Sequence, residues 1–219
     1  TGTPFFSGSL VTVSGGSVTT IQKATSVAAQ NVAVNVPNQV LGGFTTDVKG
    51  EAISVQTTEF YFNYSAGVAA SSNLLTNVSL VDQNGAVVAG PVDATNVGGV
   101  AQKVTFTDTI TLPVGPKTYT LKGKLPSGLT NGATIVASTT PSTWSNVRGE
   151  TSGNSITLTN GVFTMNTMTV KAAALAVSVA TTPSAQSIVA GGSITFANYQ
   201  FDASQSGEDV RFSSIPLSL

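Results

Sequence analysis

The sequence predicts an all-β chain, an antiparallel β-sandwich built as modules in tandem, and three observations lead there. Runs of Val, Thr, Ile and Ser alternate with period two along most of the 219 residues, the pattern of half-buried strands. Turn clusters separate the runs: Asp82-Gln-Asn84-Gly85, Pro113-Val-Gly115-Pro116, Pro126-Ser-Gly128, Asn131-Gly132 and Asn160-Gly161. Their Asn-Gly pairs supply the positive φ that tight hairpins require. Finally, the last part of the chain repeats its opening.

Taken in order, strands are expected at residues 9–13 and 18–21, where Leu, Val and Ile alternate with Thr and Ser, and at 32–36, where Val recurs every second residue. Residues 52–64 form the longest run; Phe60, Phe62 and Tyr64 share one face, with Tyr61 and Asn63 opposite. Residues 77–81 end at the Asp82 turn. In 100–112, Phe106, Ile110 and Leu112 point one way, Asp108 interrupts, and the odd-numbered threonines face out. Burial of such a Phe or Leu is worth ~1.5–3 kcal/mol, so these side chains fix the register. Further strands follow at 118–124, 134–138, 155–159, 165–170 and 175–179. No segment carries sustained apolar spacing at i, i+3, i+4, i+7, and residues 66–74 and 97–102 are too rich in Gly or Ser for more than short helical turns. Many short strands between turns predict an antiparallel sandwich.

The repeat sets the domain organisation. Leu175-Ala-Val-Ser-Val179 echoes Leu10-Val-Thr-Val13, and Thr182-Pro-Ser-Ala-Gln-Ser-Ile-Val189 echoes Thr25-Ser-Val-Ala-Ala-Gln-Asn-Val32. Phe201 falls on Phe44, Gly207-Glu-Asp-Val210 on Gly50-Glu-Ala-Ile53, and Ile215-Pro-Leu217-Ser-Leu219 on Thr58-Glu-Phe60-Tyr-Phe62. So long a period is that of whole domains, since solenoid units span ~20–50 residues. Residues 1–172 are expected to form one module, with an N-terminal strand extension, and 173–219 the first part of a second module or an intersubunit strand segment. Phe196, Tyr199, Phe201, Val210, Phe212, Ile215, Leu217 and Leu219 are apolar at strand spacing. An apolar sheet edge left uncovered pairs with another chain. The expectation is that this segment packs on a neighbouring subunit through Phe212, Ile215, Leu217 and Leu219, or that the natural chain continues.

Composition narrows the function. An apolar content of 41% against 9% charged residues excludes a disordered chain. Nine Lys and Arg against ten Asp and Glu are scattered, so no basic stripe exists for nucleic acid. Few charges suit a subunit held in a lattice better than a free protein. The longest apolar stretches fall short of a membrane span. With no His and no Cys, imidazole bases, Ser/His and Cys/His pairs, disulfides and the usual zinc ligands are ruled out. Ser-Lys catalysis and paired carboxylates are formally open, but the serines, Asp108 and Glu59 sit in alternating strand runs. The chain is not expected to be an enzyme, and no catalytic, cofactor-binding or metal residue is assigned.

Calcium is the one ion worth weighing, since it needs only oxygen ligands. The candidates are the Asp82–Gly85 turn, Asp47 with Glu51, and Asp202 with Glu208 and Asp209. Glu208 and Asp209 rank first because Gly50-Glu51 occupies the same turn, yet no Glu completes a loop of EF-hand type after Asp82. The lone Trp144 is read as a core or edge plug ahead of a sugar platform. Asn63-Tyr-Ser65 and Asn77-Val-Ser79 match the glycosylation sequon, a frequent chance match in so Ser- and Thr-rich a chain.

The string Leu175-x-Val-Ser-Val179, Thr182-Pro-Ser-Ala-Gln186, Ile188-Val-Ala-Gly191, Phe201 and Glu208-Asp-Val210 resembles the start of tandem Ig-like repeats in bacterial S-layer-like and surface-filament proteins. Val78-Ser-Leu-Val-Asp82-Gln-Asn-Gly85 and residues 108–121 look like the middle hairpins of such modules. The resemblance implies an Ig-like sandwich with an extracellular, architectural role, and it brings no catalytic residues. The function expected is a structural subunit of a surface filament or S-layer, with identical subunits joined head to tail through strand packing. The alternative is an adhesin or carbohydrate-binding stalk that recognises cell-surface glycans through loops 91–99 or 139–153.

Overall fold

The structure is a computed structural model and describes residues 15–65, 67–204, 206–207 and 209–216. Strands β1 (Ser17–Lys23), β3 (Gln39–Lys49), β11 (Gly115–Lys124), β6 (Thr76–Val81) and β7 (Val87–Val92) lie side by side in that order as an antiparallel sheet. A second sheet runs in the order β2 (Asn31–Val32), β15 (Met168–Val170), β12 (Thr134–Thr139), β5 (Thr58–Tyr64), β9 (Ala101–Phe106) and β8 (Thr95–Gly98), and β14 (Phe163–Thr164) also pairs with β12. Its β15–β2 pair is parallel. A small sheet of β10 (Ile110–Leu112), β4 (Ile53–Val55) and β13 (Arg148–Gly149) extends one end. The protein is thus an all-β, essentially antiparallel sandwich.

The core lies where the inner faces of the two large sheets meet. Phe44, Thr46 and Val48 of β3 and Tyr119 and Leu121 of β11 point to Phe60 and Phe62 of β5 and to Ile135 and Ala137 of β12, and all are buried. Phe44 is the hub: its ring lies 5.3 Å from Tyr119, 5.7 Å from Phe60 and 5.8 Å, edge-on, from Trp144. A bulge in β3 lets Leu41 turn inward as well, because Leu121 pairs with Gly42 and the next residue, Lys122, with Val40. An extra residue opposite one partner rephases the alternation in this way. Edges are blunted: β7 carries Pro91 and two register shifts, and β8 is short with every residue exposed. Both devices discourage pairing with other chains.

Several sequence expectations change in detail. The run 52–64 is two strands, β4 and β5, and 100–112 is likewise β9 and β10, broken at exposed Asp108, whose Oδ2 accepts a hydrogen bond from Gly90 N at 2.9 Å. Only a bridge, Arg148 with Ser155, marks the expected strand at 155–159. Residues 97–102 are the β8–β9 hairpin and not a helical turn, whereas Ala70–Ser72 within 66–74 is a 3-10 turn. The strand expected at 9–13 lies outside the described residues. The sequence pattern misses several strands, β7 and β8 among them, and the longest of these is β3.

Beyond the core, whose last member is Val170, β16 (Ala176–Val179) and β17 (Tyr199–Asp202) form a separate antiparallel pair. Among the described residues every position of both strands is exposed.

Candidate functional site

The pair β16–β17 carries the most distinctive surface of the molecule. Val177 stands opposite Phe201 and Val179 opposite Tyr199, so the alternation of strand side chains puts these four on one face. Residues 209–216 return beneath that face, and Phe212 stacks on Phe201 with ring centroids 5.2 Å apart and planes 20° from parallel. Leu175, Val177, Tyr199, Phe201, Phe212 and Ile215 line an open apolar cleft of about 390 Å³. The pair is tied locally. Ala180 N donates to Asn198 O at 2.8 Å, Asn198 Nδ2 to Thr182 O at 3.1 Å, and Ala174 N to Ser206 Oγ at 3.3 Å. Asp202 accepts from Ser204 N at 2.8 Å, and the Ser204 hydroxyl, then that amide, hold its carboxyl below the usual range.

Set against the positions that the sequence pattern matches to them, the side chains of this face are unusually exposed. Phe201 is 40% exposed against 1% for Phe44, Phe212 50% while Val55 is fully buried, and Ile215 49% against 2% for Thr58. β3 pairs antiparallel with β1 and β17 with β16, although the repeat matches β16 to residues 10–13 and not to β1. The difference lies at the far edge of the second strand. In the sandwich β11 joins that edge of β3 and the second sheet closes over Phe44, whereas among the described residues β17 pairs with β16 alone.

Of the four expected assembly residues, the structure brings Phe212 and Ile215 into the cleft; Leu217 and Leu219 lie outside the described residues. Leu175, Val177 and Pro216 join them there without being among the residues expected from sequence. The shared parity of Leu175, Val177 and Val179 is the signal that marks the first two.

Most of the acids weighed for calcium are engaged elsewhere. Glu51 is caged by donors: Gly16 N at 3.0 Å, Thr151 N at 2.7 Å, Ser152 N at 2.8 Å and Ser152 Oγ at 2.6 Å. These bonds, the Ser152 hydroxyl foremost, bring its pKa down to about 2 because they favour the charged form. Gly50, at φ +83°, makes the turn that aims the side chain, and a Cβ there would meet Gly15 O at 2.8 Å. Asp47 sits 3.0 Å from Lys49 Nζ. Asp82 closes its own turn by accepting from Asn84 N at 2.8 Å and Ala86 N at 2.9 Å, and it too titrates low, the Ala86 bond being the main cause. Glu208 lies outside the described residues. Among those described, no three Asp or Glu side chains come together as a metal site.

The lone Trp, weighed against a sugar platform, lies in the core. Trp144 is 6% exposed, its ring plugging the core beside Phe44 and Phe60 and its Nε1 donating to Thr139 Oγ1 at 3.0 Å. Thr139 Oγ1 in turn donates to Glu59 O at 2.6 Å. The expected loop 91–99 is largely strand, from the end of β7 to β8. On the outer face of β5 and β9, Lys103 Nζ bonds Glu59 Oε1 at 2.8 Å, which lowers the Glu59 pKa and raises that of Lys103; it is a cross-strand pair of ordinary kind.

The fold and this surface define a β-sandwich module with an appended, open β-hairpin. No family model matches the chain, and no curated protein does. Among solved structures it is similar to a DUF4466 family protein from Parabacteroides merdae (15% identity, 77% of this chain and 50% of that one, TM-score 0.27). It also resembles a chain of the CaDoc0917–CaCohA2 complex (16% identity, 69% and 99%, TM-score 0.32). A third likeness is to a cohesin module of a Clostridium perfringens family 33 glycoside hydrolase (14% identity, 72% and 98%, TM-score 0.26). The chain therefore spans about half the length of the first of these. Among the described residues no helix is long and apolar enough to cross a membrane.

Proposed function

We propose that this protein is a structural, non-catalytic subunit of an extracellular surface polymer, a filament or S-layer, assembled from tandem Ig-like β-sandwich modules through strand packing between identical subunits. The single observation that carries the reading is the cleft on β16–β17. Phe201, Phe212 and Ile215 are roughly half exposed where the matched positions of the opening copy are buried. Covering such a face is favoured by about 25 cal/mol for each Å² of apolar surface removed from water, and exposed patches of this kind mark interaction sites. A contact between this end of one copy and a different surface of the next is heterologous, so it propagates into a fibre or array. No bound ion or cofactor enters the proposal. The stalk-like adhesin reading is the less supported one, since the aromatic ring weighed for sugar stacking, Trp144, is in the core.

Electron microscopy and sedimentation of the purified chain test the proposal. Regular polymers in equilibrium with subunits are expected. A monodisperse monomer at every concentration up to ~1 mM, where even weak association of about −4 kcal/mol would register, overturns it.

A further inference from the structure

The edge of β17 that has no partner among the described residues has a specific complement within the chain. We propose that residues 9–13 of a second copy add to this edge as an antiparallel strand, with Val11 and Val13 filling the cleft beside Phe201 and Tyr199. The inference rests on the assembly reading above and names its donor. Three observations carry it.

The first is the open edge of the ladder. In the opening copy β3 is paired on both edges, by β1 and by β11, whereas β17, matched to β3 through Phe201 and Phe44, is paired among the described residues on one edge alone. The second is the sequence of the donor. Val11-Thr-Val13 reproduces Val177-Ser-Val179, and that segment, as β16, already pairs antiparallel with β17, with Val177 opposite Phe201 and Val179 opposite Tyr199. A strand that suits one edge of β17 by placing valines beside the aromatic rings puts the same residues on the same face when it joins the other edge, because side-chain period is two on both. The third is charge. Residues 1–14 contain no Asp, Glu, Lys or Arg, and the cleft is lined by Leu, Val, Tyr, Phe, Ile, Ser and Pro alone. Burying this segment therefore desolvates no ionic group, which would otherwise oppose the docking.

The geometry also sets the direction of assembly. The donor leads into β1, at one end of the sandwich sequence, and the acceptor comes after β15. One copy therefore donates to the next without using the same surface twice, as an open heterologous contact requires. Strand addition of this sort draws affinity from main-chain hydrogen bonds and specificity from alternate side-chain pockets.

The test uses the full-length chain and a labelled synthetic peptide of residues 5–14. In the variant Val11→Asp with Val13→Asp, polymer is expected to be lost while the sandwich melts at the wild-type temperature, followed through Trp144 fluorescence. The wild-type peptide is expected to bind this variant saturably, and about tenfold more weakly when Phe201→Ser is added. Polymer retained by the double aspartate variant, or a peptide that does not bind, overturns the donor assignment and leaves the assembly reading standing. A wild-type chain that stays monomeric yet still binds the peptide overturns the polymer and keeps the pairing. A monomer in which the peptide is excluded because its own residues 9–13 already fill the edge overturns the intermolecular inference.

Discussion

Glu51 shows how a carboxylate on a β-sandwich becomes a structural clip. Four donors from the stretch before β1 and from residues 151–152 converge on it, so it joins segments a hundred residues apart. Its pKa of about 2 lies below the ~4.3 of a free glutamate. A group depressed on folding contributes stability that is complete above the unfolded value and fades as pH falls through the folded one. The wild-type melting temperature should therefore decline between about pH 4.5 and pH 2, and Glu51→Gln, melted across the same range, should decline less steeply and start lower at neutral pH. A parallel offset at all pH values would contradict the clip. Thr46 offers the opposite case. It is buried among apolar side chains, and its hydroxyl has no hydrogen-bond partner among the described residues. Thr46→Val removes that unpaired oxygen and is expected to stabilise by about 1 kcal/mol, a rise of roughly 2–4 °C by calorimetry. Trp144→Ala, by contrast, empties a site ringed by Phe44 and Phe60 and should cost about 3–5 kcal/mol in urea unfolding.

At the scale of elements, β3 organises the sandwich, and its glycines explain how. A Cβ on Gly42 would come within 2.7 Å of Met165 Sδ and 3.1 Å of Ala137 Cβ, so the strand lies close against the opposite sheet. Gly42→Val should then overpack this contact and lose about 1–3 kcal/mol, measured as a lower urea midpoint at unchanged slope. The same glycines hide β3 from the sequence pattern: Gly42-Gly43 interrupt the alternation, and the bulge at Leu41 shifts its phase. Where alternation is clean, parity places individual residues, as for Phe60, Phe62 and Tyr64, or Phe106, Ile110 and Leu112, all buried as their spacing requires. Strand ends are less legible, since Gln56-Thr57 and Thr107-Asp108-Thr109 join separate sheets without any Gly or Pro to announce it. For the candidate site, parity marks Leu175 and Val177 of the cleft, whereas Phe212 and Ile215 differ in parity and lie outside any strand. It cannot reveal that Trp144 and Thr139 share a hydrogen bond, because that contact depends on how the 3-10 turn Pro141–Thr143 folds back over the core.

For the whole molecule, two phenylalanines at matched positions separate folding from assembly. Phe44 is enclosed by Tyr119, Phe60 and Trp144, and Phe44→Ser should cost at least the ~3–5 kcal/mol of a Phe truncation, enough to unfold much of the population given the usual 5–15 kcal/mol margin. Phe201 touches Phe212 and otherwise faces the open cleft, so Phe201→Ser in dilute monomer should change the unfolding of the sandwich by no more than about 0.5 kcal/mol. If the cleft is the joint between subunits, the same substitution removes a ring from the centre of an interface, where such truncations typically exceed about 2 kcal/mol. The critical concentration for polymer growth, read by light scattering, should then rise by more than about tenfold while the melting curve stays put. The two curves moving together would make Phe201 a folding residue, and neither moving would make the cleft a surface without a partner. Only separation of the two, with stability kept and assembly lost, fits a module that folds by itself and leaves its second hairpin open for a neighbour.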